Sequence, residues 1–220
     1  MSLADIRNRI DAACREAGRP ATSVSLVAAS KGQSLDRVWD VLDQGHRLFG
    51  ENKVQEAEKR WPPLRAKYPG LKLHCIGHLQ TNKAKEAVSL FDVIETVDSI
   101  KLAEALAKEM DQQRRHIPCF IQVNTGAEPQ KGGVMPQEFD ALLKYCCNHN
   151  MKVEGLMCIP PQNEIPDLHF ALLNKMAKES GLKKLSMGMS ADFEIAIRYG
   201  ATHVRVDTAL FGIRENAKAV

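Results

Sequence analysis

Leu185-Ser186-Met187-Gly188-Met189-Ser190 runs into a helical pattern over residues 191–199 and is followed by His203-Val204-Arg205-Val206-Asp207-Thr208. An apolar strand, a small-residue turn, a helix and a second strand make one βαβ unit, whose strands run parallel. Small-residue turns between a strand and a helix are also where phosphates bind. The first N–H groups of the helix have no intrahelical acceptor and carry the positive end of its dipole.

Outward from this unit, the same alternation fills the chain. Strand-like runs cover residues 24–29, 47–50, 72–77, 92–97, 117–124, 152–159, 184–188 and 203–207. Helical periodicity covers residues 35–44, 53–66, 82–90, 100–115, 137–149, 167–180 and 192–199. Ser99 caps the pattern Ile100-Lys101-Leu102-Ala103-Glu104-Ala105-Leu106, whose apolar positions recur at helical spacing. Eight strands are what a (β/α)8 TIM barrel needs, although a doubly wound sheet alternates in the same way. An extra N-terminal helix over residues 3–18 precedes the first strand and is expected outside the ring or across its bottom.

At 220 residues and 44% hydrophobic, the chain can bury a sizeable core, and one domain spanning 1–220 is expected. A formal charge of +3 and 5% aromatic residues argue against a nucleic-acid partner. Cys14, Cys75, Cys119, Cys146, Cys147 and Cys158 form no CxxC pair, which reads as reduced thiols in a cytoplasmic protein. The charged N-terminal segment and the lack of any run near ~20 apolar residues predict neither secretion nor a membrane span. His74 and His78 straddle a strand end, no carboxylate or thiolate completes a ligand set, and no metal is expected.

In a barrel, functional residues gather at the C-terminal ends of the strands. Lys31, Asn52, His78, Asn124, Ser190 and Thr208 all fall at or just past such ends. Lys31 follows the apolar run Val24-Ser25-Leu26-Val27-Ala28-Ala29. A lysine between apolar walls gives up its proton more easily and can attack an aldehyde. A phosphate site together with an aldehyde-reactive lysine suggests pyridoxal 5′-phosphate. The bases Lys53, Lys59, Arg60, Arg65 and Lys67 read as a solvated helix face.

The set Ser30-Lys31, Phe49-Gly50-Glu51-Asn52 with Gln55-Glu56, His74 with Ile76-Gly77-His78-Leu79-Gln80 and Asn82-Lys83, Gly155-Leu156-Met157, residues 185–190 with Asp192, and Val204-Arg205 with Phe211-Gly212 resembles the pyridoxal phosphate homeostasis proteins. These are relatives of the alanine racemase N-terminal barrel, the kind called fold type III among enzymes that use this cofactor. The resemblance covers nearly the whole chain. It implies that Lys31 holds pyridoxal phosphate as a Schiff base, with Asn52, Met189, Ser190, Arg205, Asp207 and Thr208 around it. Ser190 and the backbone near Asp207 and Thr208 match the phosphate cradle, and Arg205 matches the arginine facing the pyridine nitrogen. A guanidinium only donates, so beside that nitrogen it disfavours protonation and makes the ring a poor electron sink.

The second acid/base of the racemases and their phosphate-contacting tyrosine after the lysine have no counterpart here. The resemblance therefore implies a monomeric carrier in vitamin B6 homeostasis that supplies apo-enzymes using pyridoxal phosphate, without established catalysis. A minimal amino-acid racemase or Schiff-base lyase is the alternative. One position departs from the family, since Asp207 stands where the family has glycine. Its carboxylate near a phosphate predicts weaker retention than Asp207→Gly would show, unless Asp207 pairs with Arg205 on the same strand face.

Overall fold

The computed structural model describes residues 1–212; residues 213–220, the end of the expected 1–220 domain, lie outside the described residues. Strands β1 (Ser25–Ala29), β2 (Leu48–Glu51), β3 (Lys72–Cys75), β4 (Val93–Val97), β5 (Cys119–Gln122), β6 (Val153–Met157), β7 (Lys184–Ser186) and β8 (His203–Val206) form a closed barrel in sequence order. Every neighbouring pair is parallel, and β1 closes the ring on β8 with Val27 beside Arg205. The closed ring decides for the barrel over the doubly wound sheet. Each strand lies within or one residue beyond the run expected for it, and the runs lose residues mainly at their C-terminal ends, where they turn into the loops of the mouth.

Around the ring lie α2 (Leu35–Asp43), α3 (Val54–Lys67), α4 (Ala84–Leu90), α5 (Ile100–Gln113), α6 (Phe139–Asn148), α7 (Pro166–Glu179) and α8 (Phe193–Arg198). The N-terminal helix α1 (Leu3–Glu16) opens on a reciprocal cap: the Ser2 hydroxyl accepts from Asp5 N and the Asp5 carboxylate accepts from Ser2 N. It packs on α8 through a two-pronged Arg9–Glu194 pair, 2.8 Å at each contact. Its Arg7, Ile10 and Asp11 also line a cavity at the lower end of the barrel, so it does both things expected of it. A one-turn helix α9 (Thr208–Phe211) after β8 carried no sequence signal.

The apolar core is a sheath between strands and helices, with Trp61, Phe91, Phe170 and Phe193 fully buried in it. Inside the ring the separate apolar cluster is small: Val27, Ala29 and Ile76, with Leu48 against them. His74, Glu95, Gln122, Ser186 and Arg205 are buried polar or charged side chains of the strands. Among the described residues no helix is long and apolar enough to cross a membrane.

Candidate functional site

The loop after β1 carries Lys31, and its backbone is gripped from outside the barrel. Arg60 of α3 donates Nη1 to the Ser30 carbonyl at 3.0 Å and Nη2 to the Gln33 carbonyl at 2.8 Å. Arg60 is not on a solvated face, because its Nη1 also pairs with buried Glu51 at 3.0 Å. Glu51 Oε1 further accepts from the Ser30 hydroxyl at 2.8 Å and the Trp61 indole at 3.1 Å. Burial raises the Glu51 carboxyl, against the opposing pull of Ser30 and Arg60. Arg65, expected on the same solvated face, turns to Asp92 at 2.6 Å. Both corrections have one cause: the long stems of these arginines reach past the helix to acceptors at strand ends.

On the far side of the closure, Gly188 holds the turn after β7 open. Its φ of +89° suits glycine, and a Cβ there would meet Phe193 Cα at 2.9 Å, so only glycine lets the turn lie this close to α8. The Met189 N–H is held by Asp192 Oδ1 at 2.6 Å. The Ser190 hydroxyl then accepts from two backbone N–H groups, those of Asp207 at 3.3 Å and Ala209 at 3.4 Å. Two amides are thus already aimed at one oxygen. Gly77 serves the wall between β2 and β3, because a Cβ there would run into the backbone of Asn52.

All seven cofactor-site residues expected from the sequence, Lys31, Asn52, Met189, Ser190, Arg205, Asp207 and Thr208, line one cavity of about 450 Å³ at the C-terminal ends of the strands. Among the described residues, no carboxylate and no hydrogen-bond acceptor engages the Lys31 ammonium. Ala29, Ile76, Ile159, Ala191 and Gln162 complete the walls and were missed, because the four apolar ones look like any core residue in sequence and Gln162 falls in a long loop. Of the other strand-end groups, His78 lies in an adjoining cleft that shares Asn52, and Lys83 lines it too. Asn124 is used up in a loop clasp, donating to the Glu128 carbonyl at 2.8 Å and accepting from the Glu128 N–H.

Arg205 does not pair with Asp207. The arginine turns down into the barrel, donating Nη1 to Ser186 Oγ at 2.8 Å and Nη2 to the Cys158 carbonyl at 2.9 Å. Asp207 lies past the strand, where alternation no longer sets its direction, and it accepts from Gln33 Nε2 at 2.8 Å. That bond joins the loops after β1 and β8. Five cysteines are buried and Cys147 is exposed; burial pushes the thiols of Cys75, Cys146 and Cys158 up to about 12.

The alanine racemase N-terminal domain model matches residues 1–215. The pyridoxal phosphate homeostasis protein of Aquifex aeolicus is 38% identical over 97% of each chain, and that of Escherichia coli K12 is 34% identical over 99% of this chain and 97% of its own. The solved structure of PipY from Synechococcus elongatus without PLP has a TM-score of 0.84 and 35% identity, covering 94% of this chain and all of that one. A second PipY structure, with PLP bound, has a TM-score of 0.80 at 34% identity over the same shares. An alanine racemase from Clostridium difficile shares the fold, with a TM-score of 0.68 at 12% identity, and this chain covers 56% of it. With family model, near-full-length relatives and barrel in agreement, the chain belongs to the pyridoxal phosphate homeostasis proteins, a branch of the alanine racemase N-terminal domain family.

Proposed function

We propose that this protein binds pyridoxal 5′-phosphate at the mouth of its barrel and serves vitamin B6 homeostasis as a carrier, not through a turnover reaction of its own. The observation that carries the reading is the single cavity shared by Lys31, the Ser190 oxygen seat and Arg205. When bound, pyridoxal phosphate supplies an aldehyde that condenses with a primary amine.

The chain's own groups divide that task. Lys31 offers the amine. The N–H groups of Asp207 and Ala209 suit a phosphate, because they already converge on one oxygen, that of Ser190, whose hydroxyl proton adds a further donor. Arg205 has only donors to offer, so it would disfavour protonation of a pyridine nitrogen held against it and would withhold support from carbanion chemistry. Asn52, Met189 and Thr208 form walls. Tyr68, Tyr145 and Tyr199 are all outside the cavity lining, so no phenol stands ready there as a second acid or base.

We extend the reading to one domain over 1–220, a cytoplasmic monomer, and transfer of the cofactor to apo-enzymes. The test is absorption spectroscopy of wild type and Lys31→Ala with pyridoxal phosphate, followed by borohydride reduction and peptide mapping. A visible band absent from the variant, with the reduced adduct on Lys31, is expected. An adduct on another lysine, or none, would overturn the assignment.

A further inference from the structure

We propose that Glu95 is a positioning residue for Arg205: through the Ser186 hydroxyl, its carboxylate fixes the guanidinium beneath the mouth cavity and balances its charge. The inference rests on the pyridoxal phosphate reading for what Arg205 faces, but its geometry stands apart from it.

Arg205 is 4% exposed, and its two described partners, Ser186 Oγ and the Cys158 carbonyl, are neutral. A buried cation needs a counter-charge nearby. Glu95, on β4 across the ring, is fully buried and supplies it at one remove: Ser186 Oγ donates to Glu95 Oε2 at 2.5 Å. A hydroxyl has one proton and two lone pairs. With its proton committed to Glu95, the lone pairs of Ser186 face Arg205, so the carboxylate orients the serine and the serine orients the arginine. Glu95 Oε1 is itself held by His74 Nδ1 at 2.6 Å. Burial opposes ionisation of Glu95, yet the His74 hydrogen bond and the charges of His74 and Arg205 outweigh it and hold the carboxyl down at about 2.

Stability alone does not account for this bridge. Barrel interiors are ordinarily filled with branched apolar side chains, and replacing a buried ion pair by well-packed apolar groups is often neutral or stabilising. The bridge also ends where function requires it, at a side chain that lines the mouth. Arginine has a long flexible stem, and two fixed acceptors at its Nη atoms leave the head one orientation.

Two double-mutant cycles test the proposal, pairing Glu95→Gln with Arg205→Met. The first measures urea unfolding of the protein alone; the second measures dissociation constants for pyridoxal phosphate and the absorption maximum of the bound form. Field effects of Glu95 on the phosphate occur in both arginine backgrounds and cancel in the second cycle. The expected result is a coupling of about tenfold in each cycle, with the absorption maximum of Glu95→Gln moving toward that of Arg205→Met. No coupling in unfolding would overturn the positioning. Coupling in unfolding with additive effects on binding would reduce Glu95 to a structural role and overturn the proposal as well. Failure of the wild type to bind pyridoxal phosphate would instead remove the carrier reading, and the unfolding cycle would still decide whether Glu95 holds Arg205. If Glu95→Gln does not fold, Ser186→Ala takes its place in both cycles. Recovery of tight binding in Ser186→Thr then supports the bridge, and loss in both serine variants alike overturns it.

Discussion

The sheath and the lumen of this barrel are buried to the same degree and made of different material. The sheath holds Trp61, Phe91, Phe170 and Phe193 between strands and helices; in the lumen His74, Glu95, Ser186 and Arg205 stand beside Val27, Ala29 and Ile76 and the ring of Phe120, which meets His203 edge-on. Apolar burial is the dominant favourable term in folding, whereas a buried charge network at best offsets its own desolvation. The stability of this molecule therefore resides mostly outside the ring, which leaves the inside free to be shaped for chemistry. The Lys31 loop sits where the two meet, gripped by Arg60 from the sheath and by Gln33–Asp207 from the closure.

The sharpest way to break this division is Phe170→Ala. Removing a fully buried ring from the sheath should cost about 4 kcal/mol in urea unfolding and leave Lys31 labelling of the folded fraction unchanged. Altered labelling would mean that sheath packing shapes the mouth.

Acid comes next. Burial pushes His203 in the lumen and His46 near the lower cavity down to about 4, from an ordinary 6.5. Once unfolded, both bind protons below 6.5, so the unfolded state gains protons that the native state refuses and stability falls as pH drops from 6.5 to 4. Each histidine should contribute about 1.4 kcal/mol per pH unit in that window and nothing further above it. The low Glu95 carboxyl adds a further loss between its ordinary 4.5 and about 2. Urea midpoints between pH 6.5 and 4 should show a shallower slope in His203→Gln, and an unchanged slope would mean that His203 takes up its proton alike in the folded and unfolded chain.

Arg60→Lys probes the junction. A lysine ammonium cannot span the Ser30 and Gln33 carbonyls together with Glu51, and the loss should be about 2 kcal/mol, with faster amide exchange confined to the loop after β1. Uniformly faster exchange would place Arg60 with the sheath. The smallest effect belongs to Asp207→Gly, which should tighten pyridoxal phosphate binding by about fivefold, roughly 1 kcal/mol, through relief of carboxylate–phosphate repulsion. Equal dissociation constants would mean that Gln33 already holds the carboxylate clear.

The sheath was legible in the sequence and the lumen, Arg205 aside, was not, for a physical reason. Strand runs and helical periodicity report which side of an element faces apolar surroundings, so all eight strands and the helices from α1 to α8 could be read from pattern. The mouth was also legible, because strand C-termini can be located and polar residues such as Lys31, Asn52 and Thr208 stand out there. Glu95 in Val93-Ile94-Glu95-Thr96-Val97 looked like an ordinary strand residue, and its meaning depends on Ser186, far along the chain. Arg60 was misread because an amphipathic helix shows which stripe is polar, and says nothing of how far a long stem reaches. The one hint was a carboxylate flanked on both sides by residues that must all be buried.

The β1–β8 seam has a consequence for when the site comes into being. Lys31 follows the first strand, Arg205 sits on the last, and the ring closes only when Ser25 to Ala28 pair with His203 to Val206. Holding those ends together means closing a loop that is nearly the whole chain, an entropic cost that is met only after the intervening units have condensed. On the ribosome, which releases the N-terminus first, the lysine loop emerges long before the partners that complete its pocket. A nascent or truncated chain ending before β8 carries the reactive amine without the cradle, so possession of a working mouth certifies that synthesis has passed the last strand of the ring.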